Sequence, residues 1–157
     1  MLLACALPED ELDAGSTGPS DPKVASDAVA EGYGSGAAAD PEGLARDEVR
    51  CYIAYLEVAA SVADEAQEAA VDLISEAQFT LYAAYVVERA SGKDDEQALL
   101  AVRELRTANR DEVSKLASSP ATANPLLRRC DSRREARRVA IKPFTTPSLK
   151  DATTDRV

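Results

Sequence analysis

"LARDEVRCYIAYLEVAASVADEAQEAAVDLISEAQFTLYAAYVVERAS", residues 44–91, runs without a single proline or glycine and is dominated by strong helix formers. Apolar side chains fall at Val49, Tyr52, Ile53, Leu56, Ala60 and Ala63, then at Ala70, Ile74, Ala77, Leu81 and Ala84. Steps of three and four mark helix, and no alternating pattern competes. One helix of that length would be about 70 Å long. A domain of roughly a hundred residues has a radius of gyration near 13 Å, so a break is expected. Asp64-Glu65-Ala66-Gln67 is the best place for it, with Asp64 as N-cap and Gln67 reaching back as its capping-box partner. The competing reading makes Asp64 and Gln67 ordinary polar residues on one continuous helix.

Working toward the C-terminus, Gly92 is suited to stop the second helix in the left-handed conformation. Asp94 and Gln97 repeat the capping pattern before "ALLAVRELRT", a third helix. Asn109-Arg110-Asp111-Glu112 repeats it before "VSKLAS", a short fourth. "SPATANP" reads as a loop, after which Asn124 as N-cap and Pro125 at the first helical position open a last helix that ends near Pro143. The expectation is an all-α domain over residues 44–142, a small bundle of four to five helices. Residues 143–157, with two prolines and no amphipathic period, read as a flexible tail.

Toward the N-terminus, residues 8–43 are rich in Pro, Gly, Ser, Ala and acid and lack a sustained apolar period, so a disordered linker is expected. Before it stands Leu2-Leu3-Ala4-Cys5, the form of a lipobox, overlapping a small-x-small cleavage pattern at Ala4-Cys5-Ala6. Residues 1–43 therefore read as the remnant of an export signal followed by a flexible acidic linker, with Cys5 a candidate for lipidation. A chance match of four small or apolar residues is the alternative.

The chain of 157 residues contains no histidine, which removes the commonest general base and the commonest metal ligand. Three scattered cysteines do not make a zinc site. No apolar run has the length of a membrane span. Asp94-Asp95-Glu96 lacks the alternating spacing and glycine of a calcium loop, and Glu9, Asp10, Glu11 and Asp13 lie in the expected flexible arm. No phosphate-binding glycine loop, paired catalytic carboxylates or activated nucleophile can be assembled. The expectation is a protein that is not an enzyme and holds no metal and no cofactor.

Cys51 lies in the first turns of the first helix and Cys130 in the last helix. Where those helices are neighbours in an oxidising compartment, the two would pair and close a long loop. In a cytosolic protein they would be two reduced, buried thiols.

"RCYIAYLEVAA" (50–60), "AQFTLYAAYVVERASG" (77–92) and "LLRRCDSRREA" (126–136) together resemble small exported helical proteins of bacteria whose function is unassigned. The shared pattern is a cysteine in the first helix and another in the last, framing a two-helix core that ends in a glycine turn. It is also faintly similar to the disulfide-bonded acid-stress chaperones of the periplasm. The resemblance covers about residues 50–135 and implies export to the periplasm or cell envelope; a cytoplasmic location is the alternative.

Two groups of residues are candidate binding features. Tyr52, Tyr55, Phe79, Tyr82 and Tyr85 are five of the seven aromatics. They read either as the bulky core of an alanine-rich hairpin or as a groove for a peptide or small apolar ligand. Arg129, Arg133 and Arg137 fall along one stripe of the last helix, with Arg134 and Arg138 beside it. That face is expected to be solvated or paired with the acidic arm; its alternatives are weak nucleic-acid binding, an anionic membrane surface or an acidic partner. Charge is divided to match: net −9 over residues 1–48, −6 over 49–123 and +5 over 124–157. The function expected is binding of a protein partner or envelope component, with a cytosolic helical adaptor or regulator as the alternative.

Overall fold

The computed structural model describes residues 21–144. Seven α-helices occur among them: α1 (Pro22–Tyr33), α2 (Ser35–Ala38), α3 (Pro41–Val62), α4 (Gln67–Ala90), α5 (Asp95–Ala117), α6 (Pro120–Asp131) and α7 (Arg134–Ile141), followed by a 3-10 turn at Lys142–Phe144. The all-α class is as expected, but four to five helices is an undercount. The possible lipidation site Cys5, the acidic cluster Glu9–Asp13 and residues 145–157 lie outside the described residues.

The long hairpin of α3 and α4 forms the centre. Its break falls where expected, after Val62, but the cap differs. Ala66 precedes α4 and no side chain caps it. α4 stops at Ala90, and Gly92 takes φ +94, a left-handed conformation that glycine adopts without a Cβ clash. Asp94 and Gln97 close a reciprocal capping box at the start of α5. α5 packs on α3 and α4, α6 on α3 and α5, and α7 on α1 and α4.

Residues 22–43 correct the linker expectation. Asp21 and Asp40 cap α1 and α3 through the backbone N–H groups of Lys23 and Gly43, and Pro22 and Pro41 occupy first-turn positions. α1 then buries Ala25, Ala28 and Val29 against α4 and α7. Its contact face is made of small residues, so it carries little of the apolar signal that marks a packed helix. Gly32 shows why small size is required. A Cβ there would lie 2.3 Å from the Ala136 carbonyl oxygen and 2.8 Å from the Ala140 nitrogen. The folded unit thus begins well before Leu44, and it takes in Pro143 and Phe144 at its other end.

Three further boundaries differ. α5 runs unbroken through Asn109, whose side-chain amide donates to the Leu105 carbonyl while its oxygen accepts from Arg50. The expected loop "SPATANP" is the first half of α6, which Ser119 precedes without a side-chain cap and Pro120 starts, with Pro125 inside the helix. The expected last helix is broken at Ser132-Arg133 into α6 and α7.

Candidate functional site

Cys51 on α3 and Cys130 on α6 are joined by a disulfide, with Cα atoms 5.5 Å apart and both residues buried. It pins the middle of α3 to the arginine-rich segment. The Cys130 carbonyl also accepts a hydrogen bond from Arg137 at 3.3 Å, so the bridge and the charged cluster share one seam.

Of the five arginines Arg137 is buried, Arg133 and Arg134 are half-buried, and Arg129 and Arg138 are exposed, yet all five reach carboxylates of the fold. The expectation of a solvated stripe holds for the outer part of Arg129 and Arg138 but not for Arg137, and the acids that meet the basic face are those of α3 and α4. Arg129 and Arg133 both donate to Asp47, at 3.0 and 2.5 Å. Arg137 donates through Nε to Glu48 at 2.6 Å, and neither side chain has any exposed surface. Arg138 donates to Glu76 at 2.8 Å, and Arg134 to Asp131 at 3.0 Å. Arg134 and Arg137 also face the second oxygen of Glu76, at 3.4 and 3.8 Å. The phosphate-gripping alternative is thereby weakened, because each of these five guanidiniums already meets a carboxylate.

Burial pushes the Glu48 carboxyl above its usual range, against the pull of Arg137 and Arg133. Burial opposes the charge on Arg137, but Glu48 holds its ionisation above the ordinary value. The Tyr33 hydroxyl is buried beside this pair, and burial first, then the Glu48 charge, drives its ionisation far upward. Glu48 Oε1 and Arg133 Nη1 are buried 3.9 Å apart, too far for a direct hydrogen bond. The arrangement neutralises charge without presenting a free base or nucleophile. It is a specific clamp that fixes α7 on the hairpin.

The acidic half of this clamp was missed in the sequence, although a signal existed. Glu48 falls on the apolar line of Leu44 and Tyr52, and Glu76 sits beside Ala77 and Thr80, all buried. A charge placed on a core stripe needs a buried partner.

The aromatic groove does not form from its five candidates. Tyr52, Tyr55 and Tyr85 are buried, and Phe79 and Tyr82 are half-buried. Tyr55 donates to Asp131 at 2.7 Å, Tyr82 to the Phe144 carbonyl at 3.3 Å, and Tyr85 to Asp95. The Tyr82 and Tyr85 rings stack tilted, with centroids 5.9 Å apart. These hydroxyls tie the hairpin to neighbouring segments, which is a core role. Phe79 alone of the five lines a surface depression of about 350 Å³ between α4 and α7, with Asp72, Leu73, Ser75, Glu76, Arg134 and Arg138.

Among the described residues, no group of three or more acidic or cysteine side chains is placed to hold a metal, and no helix is long and apolar enough to cross a membrane. Asp94 and Asp95 are occupied as helix cap and tyrosine acceptor. No family model, curated protein or solved structure matches the chain.

Proposed function

We propose that this chain is an exported helical domain of the periplasm or cell envelope that acts by binding a protein or an envelope component, and not by catalysing a reaction. The observation that carries the proposal is the buried Cys51–Cys130 disulfide. Such links persist in oxidising compartments and are rare in the cytosol. The binding role is supported by where the chemistry goes: the concentrated ionisable groups engage one another, while several large apolar side chains stay at the surface.

Two measurements test it. Producing cells are first quenched in acid, and the denatured protein is treated with a mass-tagging maleimide, with and without prior reduction. Cys51 and Cys130 should gain the tag only after reduction; tagging of both without reduction would establish the competing reading, a cytosolic adaptor with free thiols. Second, photo-crosslinking residues are placed singly at the exposed positions Val24, Val71 and Arg103. A discrete heavier adduct from at least one position is expected, and none from all three would overturn the binding role.

A further inference from the structure

Between Arg50 and Arg89 the chain has no lysine or arginine, yet it has seven carboxylates. Three of them, Glu57, Glu76 and Glu88, are engaged with Ser114, Arg138 and Lys93. The other four, Asp64, Glu65, Glu68 and Asp72, are exposed around the α3–α4 turn and the first turns of α4, and make no ion pair or side-chain hydrogen bond among the described residues. The same turns of α4 expose two of the four large apolar side chains that stand out at the surface, Val71 at 57% and Ile74 at 37%.

Val71 and Ile74 are three residues apart and share the outer side of α4, while Phe79, eight residues from Val71, lies about 80° around the helix on the flank that carries Asp72. Phe79 there forms one wall of the depression described above. From these placements we infer that the outer face of α4 over Gln67–Phe79 is a docking surface for a basic amphipathic segment of another protein. Val71 and Ile74 would supply the apolar ridge, and Asp64, Glu65, Glu68 and Asp72 would meet Lys or Arg flanking the partner's apolar side chains. Charge selects this occupant. A second copy of the chain would bring an equally acidic rim, and an anionic lipid surface would repel it. The inference deepens the binding role proposed above and rests on it.

The test titrates the full, oxidised, ¹⁵N-labelled chain with a short amphipathic Leu/Lys helical peptide, using its Leu/Glu counterpart as control. Amide shifts should concentrate on Gln67–Phe79 and fade as salt rises from about 0.05 M to about 0.3 M. The variant V71S/I74S should lower affinity about tenfold or more, and D64N/E65Q/E68Q/D72N should weaken binding and flatten its salt dependence. Both variants alter exposed side chains, and unchanged amide shifts elsewhere verify the fold. The inference is overturned by no response to the Leu/Lys peptide, by shifts confined to other helices, by equal binding of the Leu/Glu peptide, or by dimerisation through α4 that V71S/I74S abolishes. Crosslinked adducts from Arg103 or Val24 with none from Val71 would also overturn it while leaving the broader binding role standing; the absence of any adduct would remove both.

Discussion

Arg137 Nε lies 2.6 Å from Glu48 Oε2, and both side chains are wholly buried although their residues are 89 positions apart. This contact joins the last described α-helix to the first long one. Its effect is to choose one docking of α7, since a buried guanidinium without its carboxylate is far costlier than the pair.

Removing one member should therefore be severe. Glu48→Ala is expected to lower unfolding free energy by about 3–5 kcal/mol, because Arg137 stays buried without its closest partner. The double variant E48Q/R137M should recover part of that loss. Urea unfolding of the three proteins checks it, and a loss under about 1 kcal/mol in Glu48→Ala would mean that α7 is held mainly by apolar contact.

The disulfide should contribute on a similar scale. It closes a separation of 79 residues, for which chain entropy gives roughly 4–5 kcal/mol. C51S/C130S should unfold at markedly lower denaturant than the oxidised chain. Because both cysteines are buried, the bridge should resist mild reductant under native conditions. Equal midpoints for the two proteins would remove its structural role.

Two glycines offer a paired test of the α1–α7 contact. Gly32→Ala should destabilise by about 1–3 kcal/mol, since the new methyl meets backbone atoms of α7 that have little room to shift. Gly36, in α2, has open space around it. Gly36→Ala should be neutral or stabilising by up to about 1 kcal/mol. Thermal melts that rank the two in the opposite order would contradict the packing of α1.

Alkaline pH should act through the tyrosines. Burial raises the ionisation of Tyr33, Tyr55, Tyr82 and Tyr85; Tyr55, which also donates to Asp131, is pushed up to about 12. A group raised in the fold stabilises fully below its unfolded value, near 10, and that contribution is lost as pH climbs through the folded value. Tyrosinate absorbance from these four should hence lag and then rise together with loss of helical circular dichroism. Their full ionisation near pH 10 with helicity intact would sink the prediction.

Much of the central hairpin was legible because its signals are local. Residues 44–91 carry a helical period and no breaker, Gly92 supplies the one conformation that ends α4, and Asp94 with Gln97 satisfies the first N–H groups of α5 within four residues. The meeting of Cys51 and Cys130 was also anticipated, from their placement in the first and last expected helices.

Elsewhere, identical local signals had different outcomes. Asp94 caps a helix, whereas Asn109 in a similar context sits inside one, because Arg50 of α3 and the Leu105 carbonyl satisfy its amide. Asn124-Pro125 resembled a helix start but lies within α6, which Ser119 and Pro120 begin.

The sequence by itself determined the all-helical class of the described residues and the turn between α3 and α4. These follow from interactions spanning one or two helical turns. Only the tertiary structure decided that residues 22–33 are a packed helix, that Cys51 and Cys130 meet, and that Arg137 is buried while its neighbours reach the same acidic seam. A small-residue face has value only when another backbone comes as close as Ala136 and Ala140 come to Gly32. A row of guanidiniums is equally sound in water or against a core, and what draws it onto the fold, burying Arg137, is the set of carboxylates, Asp47, Glu48 and Glu76, that distant segments bring against it.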